Sequence, residues 1–386
     1  MLLLKNGEVY DPESLGRRDI LVAGGKIVAL EKKIPPPAGI PLDIIEAEGM
    51  ITMPGLIDGH VHIAGAGGEG GPATRTPEMQ LGQMLEAGCT TVIGCLGTDG
   101  LTRSVESVLM KAKALRAEGA SCWIFTGSYQ VPPPTILGDV GKDIALIDEI
   151  IGVGEIAIAD HRSSFPTVEE LIRLAEHARV GGMLGGKAGI VNLHMGDADH
   201  PFAILYEAVA RSELRLTQFL PTHCNRNATI FEESIEYGKH GYVDLTTSSY
   251  PYFSEVEIKP SAALVRLLAA GVPGTHITFS SDACGSLPQF DGDGRLVKLE
   301  TGRPRANLAE LIDAVRREGI PWEQALPVVT SNAADILKLS GKGRIRIGHD
   351  ADLVVLDSED KIRHLVMNGV LAVRDGRRLV KGTFEN

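Results

Sequence analysis

Two histidines one residue apart, His60 and His62, sit in the apolar run Leu56-Ile57-Asp58-Gly59-His60-Val61-His62-Ile63. Alternate residues of a strand share a face, so both imidazoles point one way and Val61 the other. Their Cα atoms would stand about 6 to 7 Å apart, which lets two rings converge on one cation at ~2.0 Å per nitrogen. The alternative is a pair of surface histidines on an edge strand, but Leu56, Ile57, Val61 and Ile63 make the run too apolar for an edge. More donors close other apolar runs. His194 ends Ile190-Val191-Asn192-Leu193-His194, His223 ends Phe219-Leu220-Pro221-Thr222-His223, and Asp282 ends Phe279-Ser280-Ser281-Asp282. A single histidine ending a strand is usually structural; four histidines and an aspartate on four strand ends are hard to explain by packing. Such a set suits the binding of a metal cation.

Donors on separate strands need a fold that brings strand ends together. The middle of the chain alternates β-branched runs with helical patterns, as a parallel α/β sheet requires. Eight runs predict strands: 56–63, 90–96, 122–128, 155–160, 190–195, 218–223, 242–246 and 276–282. Helical stretches at 77–87, 103–118, 168–178 and 262–270 lie between them. Eight such units fit a (β/α)8 TIM barrel, whose active sites gather at the C-terminal strand ends. Both chain ends instead show short alternating segments with turns at Asn6-Gly7, Ala23-Gly24-Gly25, Gly348-His349-Asp350 and Asn368-Gly369. The expected organisation is α/β: a catalytic barrel over 53–342 and a small discontinuous β-sandwich domain built from 1–52 and 343–386.

With 38 Lys and Arg against 50 Asp and Glu, the net charge is −12 and no basic cluster occurs, which disfavours nucleic acid and anionic membrane as partners. No apolar run is long enough to span a bilayer, and the first residues are too short for a signal-peptide core, so a cytoplasmic location is expected. The five cysteines are odd in number and include no C-x-x-C pair, which predicts reduced, mostly buried thiols.

The arrangement of an H-x-H pair, two later strand-end histidines and a final aspartate resembles the amidohydrolase superfamily. Gly348-His349-Asp350-Ala351-Asp352-Leu353-Val354-Val355-Leu356-Asp357 is similar to that superfamily's returning β domain. More narrowly, Gly67-Gly68-Glu69-Gly70-Gly71-Pro72-Ala73-Thr74-Arg75-Thr76-Pro77-Glu78, Leu96-Gly97-Thr98-Asp99, Asp160-His161-Arg162-Ser163, Pro221-Thr222-His223-Cys224-Asn225-Arg226-Asn227 and Ser280-Ser281-Asp282 resemble isoaspartyl dipeptidases. The resemblance runs almost end to end. It implies two divalent metal ions per chain, zinc by expectation, held by His60, His62, His194, His223, Asp282 and a bridging anion. It also implies a homo-oligomer.

One position departs from the pattern. These dipeptidases usually carry a carboxylated lysine on strand four as the bridge, yet no lysine occurs between Lys142 and Lys187. Glu155 stands there instead and offers the same two oxygens on a shorter stem. Gly154 beside it would permit a closer backbone approach. The competing reading makes Glu155 a solvated residue at a strand start and leaves a single metal.

The resemblance assigns Glu69 to a substrate ammonium, helped by backbone near Gly67 and Thr98, and leaves Arg162, Arg226 and Ser286 for carboxylates. A β-aspartyl dipeptide carries one ammonium and two carboxylates, and guanidinium forks suit carboxylates. From spacing alone, structural ion pairs would explain the arginines as well. Tyr129 is expected to donate to the oxyanion, with a packing role as its alternative. A metal-bridging hydroxide would attack the isopeptide carbonyl, with Asp282 as general base and then acid. Two rivals remain: an amidohydrolase of cyclic amides of dihydroorotase or hydantoinase type, whose substrates lack the ammonium Glu69 would bind, and a catalytically inactive binding module, which should have lost ligands.

Overall fold

The computed structural model describes residues 1–291 and 295–385. Six parallel strands lie side by side in chain order: Leu56–Val61, Cys89–Gly94, Ser121–Thr126, Ile150–Ile158, Ile190–Met195 and Phe219–Thr222. Two more, Val243–Thr246 and Ile277–Ser280, form a parallel pair. The six-stranded sheet curls so that its edges meet this pair through bonds outside the regular ladders. At one edge Cys224 N donates to Asp244 O at 3.1 Å and Thr222 Oγ1 to Asp244 Oδ2 at 2.6 Å. At the other, His62 N donates to Ala283 O at 2.9 Å and Ser281 N to Asp58 Oδ1 at 3.0 Å. At the second seam the buried Asp58 carboxylate thus replaces a ladder acceptor, while at the first the buried Asp244 carboxylate gathers the hydroxyls of Thr222, Thr278 and Ser280.

The strands form where β-branched residues run uninterrupted, and they are buried on both faces, as helix-covered parallel strands should be. The helices pack outside. Val168–Gly185 opens with a capping box between Thr167 and Glu170 and stops at Gly186, whose φ of 66° suits a residue without a side chain. It buries Leu171, Leu174, Ala175 and Ala178 against the sheet, each large apolar side chain contributing roughly 1.5 to 3 kcal/mol.

The two chain ends meet in one nine-stranded sheet that includes Leu2–Tyr10, Ser14–Ala23 and Ile51–Pro54 from the beginning and Leu353–Leu356, Ile362–Met367 and Val370–Arg374 from the end. Ile51–Pro54 pairs with both Leu2–Tyr10 and Leu353–Leu356, so the sheet takes in Met53 and Pro54 before Gly55 leads into the first parallel strand. This sheet has its own apolar cluster, with Leu2, Leu4, Val9, Ile20, Ile45, Leu353, Val355 and Val366. An antiparallel hairpin of Ser286–Phe290 and Leu296–Thr301, which the alternation pattern did not reveal, follows the last parallel strand. Among the described residues no helix is long and apolar enough to cross a membrane.

Candidate metal centre

The C-terminal ends of the parallel strands bring the six ligand candidates together. Glu155 is 1% exposed, which removes the solvated alternative for it. Its Oε2 lies 3.3 Å from His60 Nε2, 3.2 Å from His194 Nδ1 and 3.8 Å from His223 Nε2, while its Oε1 lies 3.4 Å from His62 Nε2. Asp282 Oδ1 stands 3.1 Å from His62 Nε2 and 3.9 Å from His60 Nε2. Two clusters share Glu155: His60, His62, Cys95 and Glu155 on one side, and Glu155, His194 and His223 on the other.

Local backbone explains how a short side chain reaches the middle. Val153 pairs with Val191 and Ile156 with Leu193, so Gly154 and Glu155 together oppose Asn192 alone. Such a bulge re-aims a side chain, and here it carries Glu155 into the centre. A Cβ on Gly154 would fall 2.8 Å from Asn192 Cβ and 2.9 Å from Asn192 O, so glycine is required by the close approach of the neighbouring strand. His223 and Asp282, just past their strands, have φ of 62° and 54°. Residues other than glycine avoid that region at a cost of order 1 kcal/mol, and such strain collects at functional sites.

Each of three imidazoles is oriented through its far nitrogen. His60 Nδ1 is 3.0 Å from Asn192 Oδ1, His223 Nδ1 is 2.6 Å from Thr246 Oγ1, and His194 Nε2 is 3.0 Å from Asp160 Oδ2. An acceptor at one ring nitrogen holds the proton there and leaves the other nitrogen's lone pair facing inward, the usual arrangement behind metal-ligating histidines. The inward atoms are then ring nitrogens and carboxylate oxygens facing one another, and the carboxylates need positive charge opposite them. Asp282 Oδ1 is buried and makes no well-aligned hydrogen bond. This donor set fits divalent cations, and the spacings of 3.2 to 3.4 Å around Glu155 are close to the ~3.3 Å between donors on one tetrahedral zinc. Burial would raise the Glu155 pKa, but His60 and the neighbouring imidazoles more than offset it and hold the carboxyl well below its ordinary range.

A cavity of about 700 Å³ opens over the centre. Glu69, Thr98, Tyr129, Arg162, Arg226 and Ser286 line it together with His62, Glu155, His194, His223 and Asp282. Gly67 is not among the lining residues; it lies beneath, where a Cβ would come within 2.4 Å of Thr74 O and 3.3 Å of Ser286 Cβ. Tyr129 is buried, its hydroxyl 2.8 Å from His194 Nδ1, and burial holds the phenol in its protonated form, well above its ordinary pKa. Glu69 Oε2 and Ser286 Oγ are buried without hydrogen-bond partners.

Three residues escaped the sequence reading. Asp160 takes Arg162 in a fork, with Arg162 Nε at 3.0 Å and NH2 at 2.8 Å, and also faces His194. Part of Arg162 is therefore a structural ion pair; its NH1 remains toward Glu69 Oε1 at 3.7 Å. Asp160 lies in a motif that drew attention to its histidine and arginine instead. Glu257 lines the cavity, accepts from Ser249 Oγ at 2.7 Å, and is pushed by burial to a pKa of about 7; no spacing signal marked it. Cys95 had been grouped with the other buried thiols, and all five are indeed free and buried. His161, in the same motif, has an exposed side chain at the cavity rim, 3.7 Å from Asp160 Oδ1.

The amidohydrolase family model matches residues 51–373. The chain belongs to the amidohydrolase family. Among solved structures it is similar to the beta-aspartyl dipeptidase of Fervidobacterium islandicum AW-1, determined in complex with the beta-Asp-Leu dipeptide: 39% identity, a TM-score of 0.92, and coverage of 98% of this chain and 97% of that one. The dihydropyrimidinase of Brevibacillus agri NCHU1002, at 16% identity and a TM-score of 0.67 over 98% of this chain and 96% of that one, shares the fold. Among curated sequences, the dihydroorotase of Elusimicrobium minutum (strain Pei191) is 23% identical over 99% of this chain and 95% of its own length.

Proposed function

We propose that this protein is a binuclear metallo-dipeptidase that hydrolyses the isopeptide bond of β-aspartyl dipeptides. The observation that carries the reading is a cavity in which two guanidinium groups and two buried polar atoms without partners, Glu69 Oε2 and Ser286 Oγ, surround the metal-ligand cluster. A ligand with one ammonium and two carboxylates would satisfy all of them. The similarity to the Fervidobacterium enzyme, far above that to the dihydroorotases, supports the same choice.

In this reading the parallel strands form a (β/α)8 barrel over 53–342, and the terminal segments 1–52 and 343–386 form the small β-sandwich domain. His60, His62, Glu155, His194, His223 and Asp282 would hold two zinc ions, with Glu155 between them. When bound, the ions supply a water acidic enough to attack at neutral pH and an electrophile for the scissile carbonyl. Asp282 Oδ1 takes the proton of the attacking water and delivers it to the leaving amine. The neutral Tyr129 hydroxyl donates to the carbonyl oxygen as negative charge develops. Glu69 holds the substrate ammonium beside Thr98 and the Gly67 turn. Arg162, Arg226 and Ser286 hold the carboxylates. The chain would act in the cytoplasm as a homo-oligomer.

Metal analysis with reconstitution tests this reading. The protein should contain close to two divalent ions per chain, lose activity to chelators, and recover fully with zinc alone in bicarbonate-free buffer, because Glu155 needs no carbon dioxide. At most one ion in fully active protein, or recovery only with bicarbonate, would overturn it.

A further inference from the structure

Cys95 touches the centre without a part in the reaction just described. It stands one residue past the strand Cys89–Gly94, is fully buried, and is held against the H-x-H strand by its own N–H, which donates to Val61 O at 3.0 Å. Its Sγ lies 3.6 Å from His60 Nε2 and 3.9 Å from His62 Nδ1. The sulfurs of Cys89, Cys122 and Cys224 face backbone carbonyls, as packing cysteines do. Cys95 also reaches a carbonyl, Val61 O, at a long 3.6 Å, but it alone of these four faces imidazole nitrogens.

The distance fits a shared ion. A tetrahedral zinc with Zn–N of ~2.0 to 2.1 Å and Zn–S of ~2.3 Å sets its nitrogen and sulfur donors about 3.5 to 3.6 Å apart. Cys95 Sγ and His60 Nε2 have that separation. A second observation points to the same spot: one donor atom from each of His60, His62, Cys95 and Glu155 lies within 4.8 Å of the others, and the buried Asp282 Oδ1, which has no well-aligned hydrogen bond, approaches the same His60 Nε2 at 3.9 Å. Charge leads the same way. Glu155, Asp282 and the attacking hydroxide would bring three negative charges against four positive ones on two divalent ions, and a buried net charge is costly. A thiolate at Cys95 would balance it.

We infer that Cys95 is a thiolate ligand to the ion held by His60 and His62, which makes that position selective for thiophilic cations such as zinc, cobalt and cadmium over manganese and magnesium. As the metal–sulfur bond forms, the thiol proton leaves to solvent, so binding releases one proton at this group. The inference rests on the metal reading of the centre and adds a donor that the hydrolytic chemistry does not require.

The test uses the full chain loaded with zinc and, separately, with cobalt, as wild type, Cys95→Ser and Cys95→Ala. X-ray absorption at the zinc edge should find a sulfur neighbour at ~2.3 Å in the wild type, and the cobalt form should show a near-ultraviolet sulfur-to-cobalt charge-transfer band. Both signals should vanish in the two variants while metal remains bound. A wild-type protein carrying its ions with neither signal overturns the inference and leaves the metal reading standing, and the wild-type measurement needs no variant to fold. Signals that persist in both variants assign the sulfur elsewhere and overturn it too. A protein that binds no metal overturns both.

Discussion

A carboxylate in contact with four imidazoles, as Glu155 is with His60, His62, His194 and His223, exists in a folded protein only if positive charge or protons compensate it. At the cavity wall Glu69 presents a related problem, since its Oε2 is buried without a partner. Replacing Glu69 with Gln keeps the shape and removes the charge. A charge-assisted contact contributes about 1.5 to 3 kcal/mol, so kcat/KM for a β-aspartyl dipeptide should fall roughly ten- to a hundred-fold. Steady-state kinetics read this directly, and unchanged efficiency would remove the ammonium from Glu69. The clustering of these histidines was legible in the sequence because imidazoles at strand ends have few packing explanations. Asp160, Glu257 and Cys95 were not, because one carboxylate or thiol in a 386-residue chain has no spacing to set it apart until the fold places it.

The strands and helices were read from period and β-branching, with errors at their ends. The fourth parallel strand was expected over 155–160 and spans Ile150–Ile158, because Ile150, Ile151 and Val153 extend the buried run upstream while Ala159 leaves it at a φ of 56°. The bulge at Gly154 and Glu155 leaves no mark in hydrophobic alternation, since both faces of this strand are buried. It nevertheless decides whether a glutamate can stand in for a longer side chain. Gly154→Ala would drive a methyl into Asn192 and separate the strands. Overpacking of this kind costs about 1 to 3 kcal/mol. The expected outcome is a lowered Tm together with loss of bound metal, measured on one sample; a variant with lowered Tm and full metal content would show that the bulge does not position Glu155.

For the molecule as a whole, the terminal sheet is tied to the parallel strands by a buried polar cluster. Lys342, 4% exposed, donates to Asp352 Oδ2 at 2.7 Å and to Asn368 Oδ1 at 2.9 Å, and Asn368 Nδ2 donates to Gly119 O at 2.8 Å beside the third parallel strand. Removing one partner of a buried pair leaves an uncompensated charge and costs about 3 to 5 kcal/mol, so Lys342→Ala should lower Tm sharply. Metal content and low-temperature activity should persist, because the cluster lies outside the centre; their loss would mean that the terminal sheet shapes the site. The joining of both chain ends was foreshadowed by turn signals at each terminus. The added hairpin Ser286–Phe290 with Leu296–Thr301 was not, since its short strands lack clean alternation.

The central claim is that a cavity with one carboxylate and two guanidinium groups over two metal positions selects a β-aspartyl dipeptide. The most direct measurement is kcat/KM of the same zinc-loaded protein for β-aspartyl-leucine and for dihydroorotate. Efficient hydrolysis of the dipeptide with negligible turnover of dihydroorotate is the expected result, and preferential opening of the cyclic amide would contradict it.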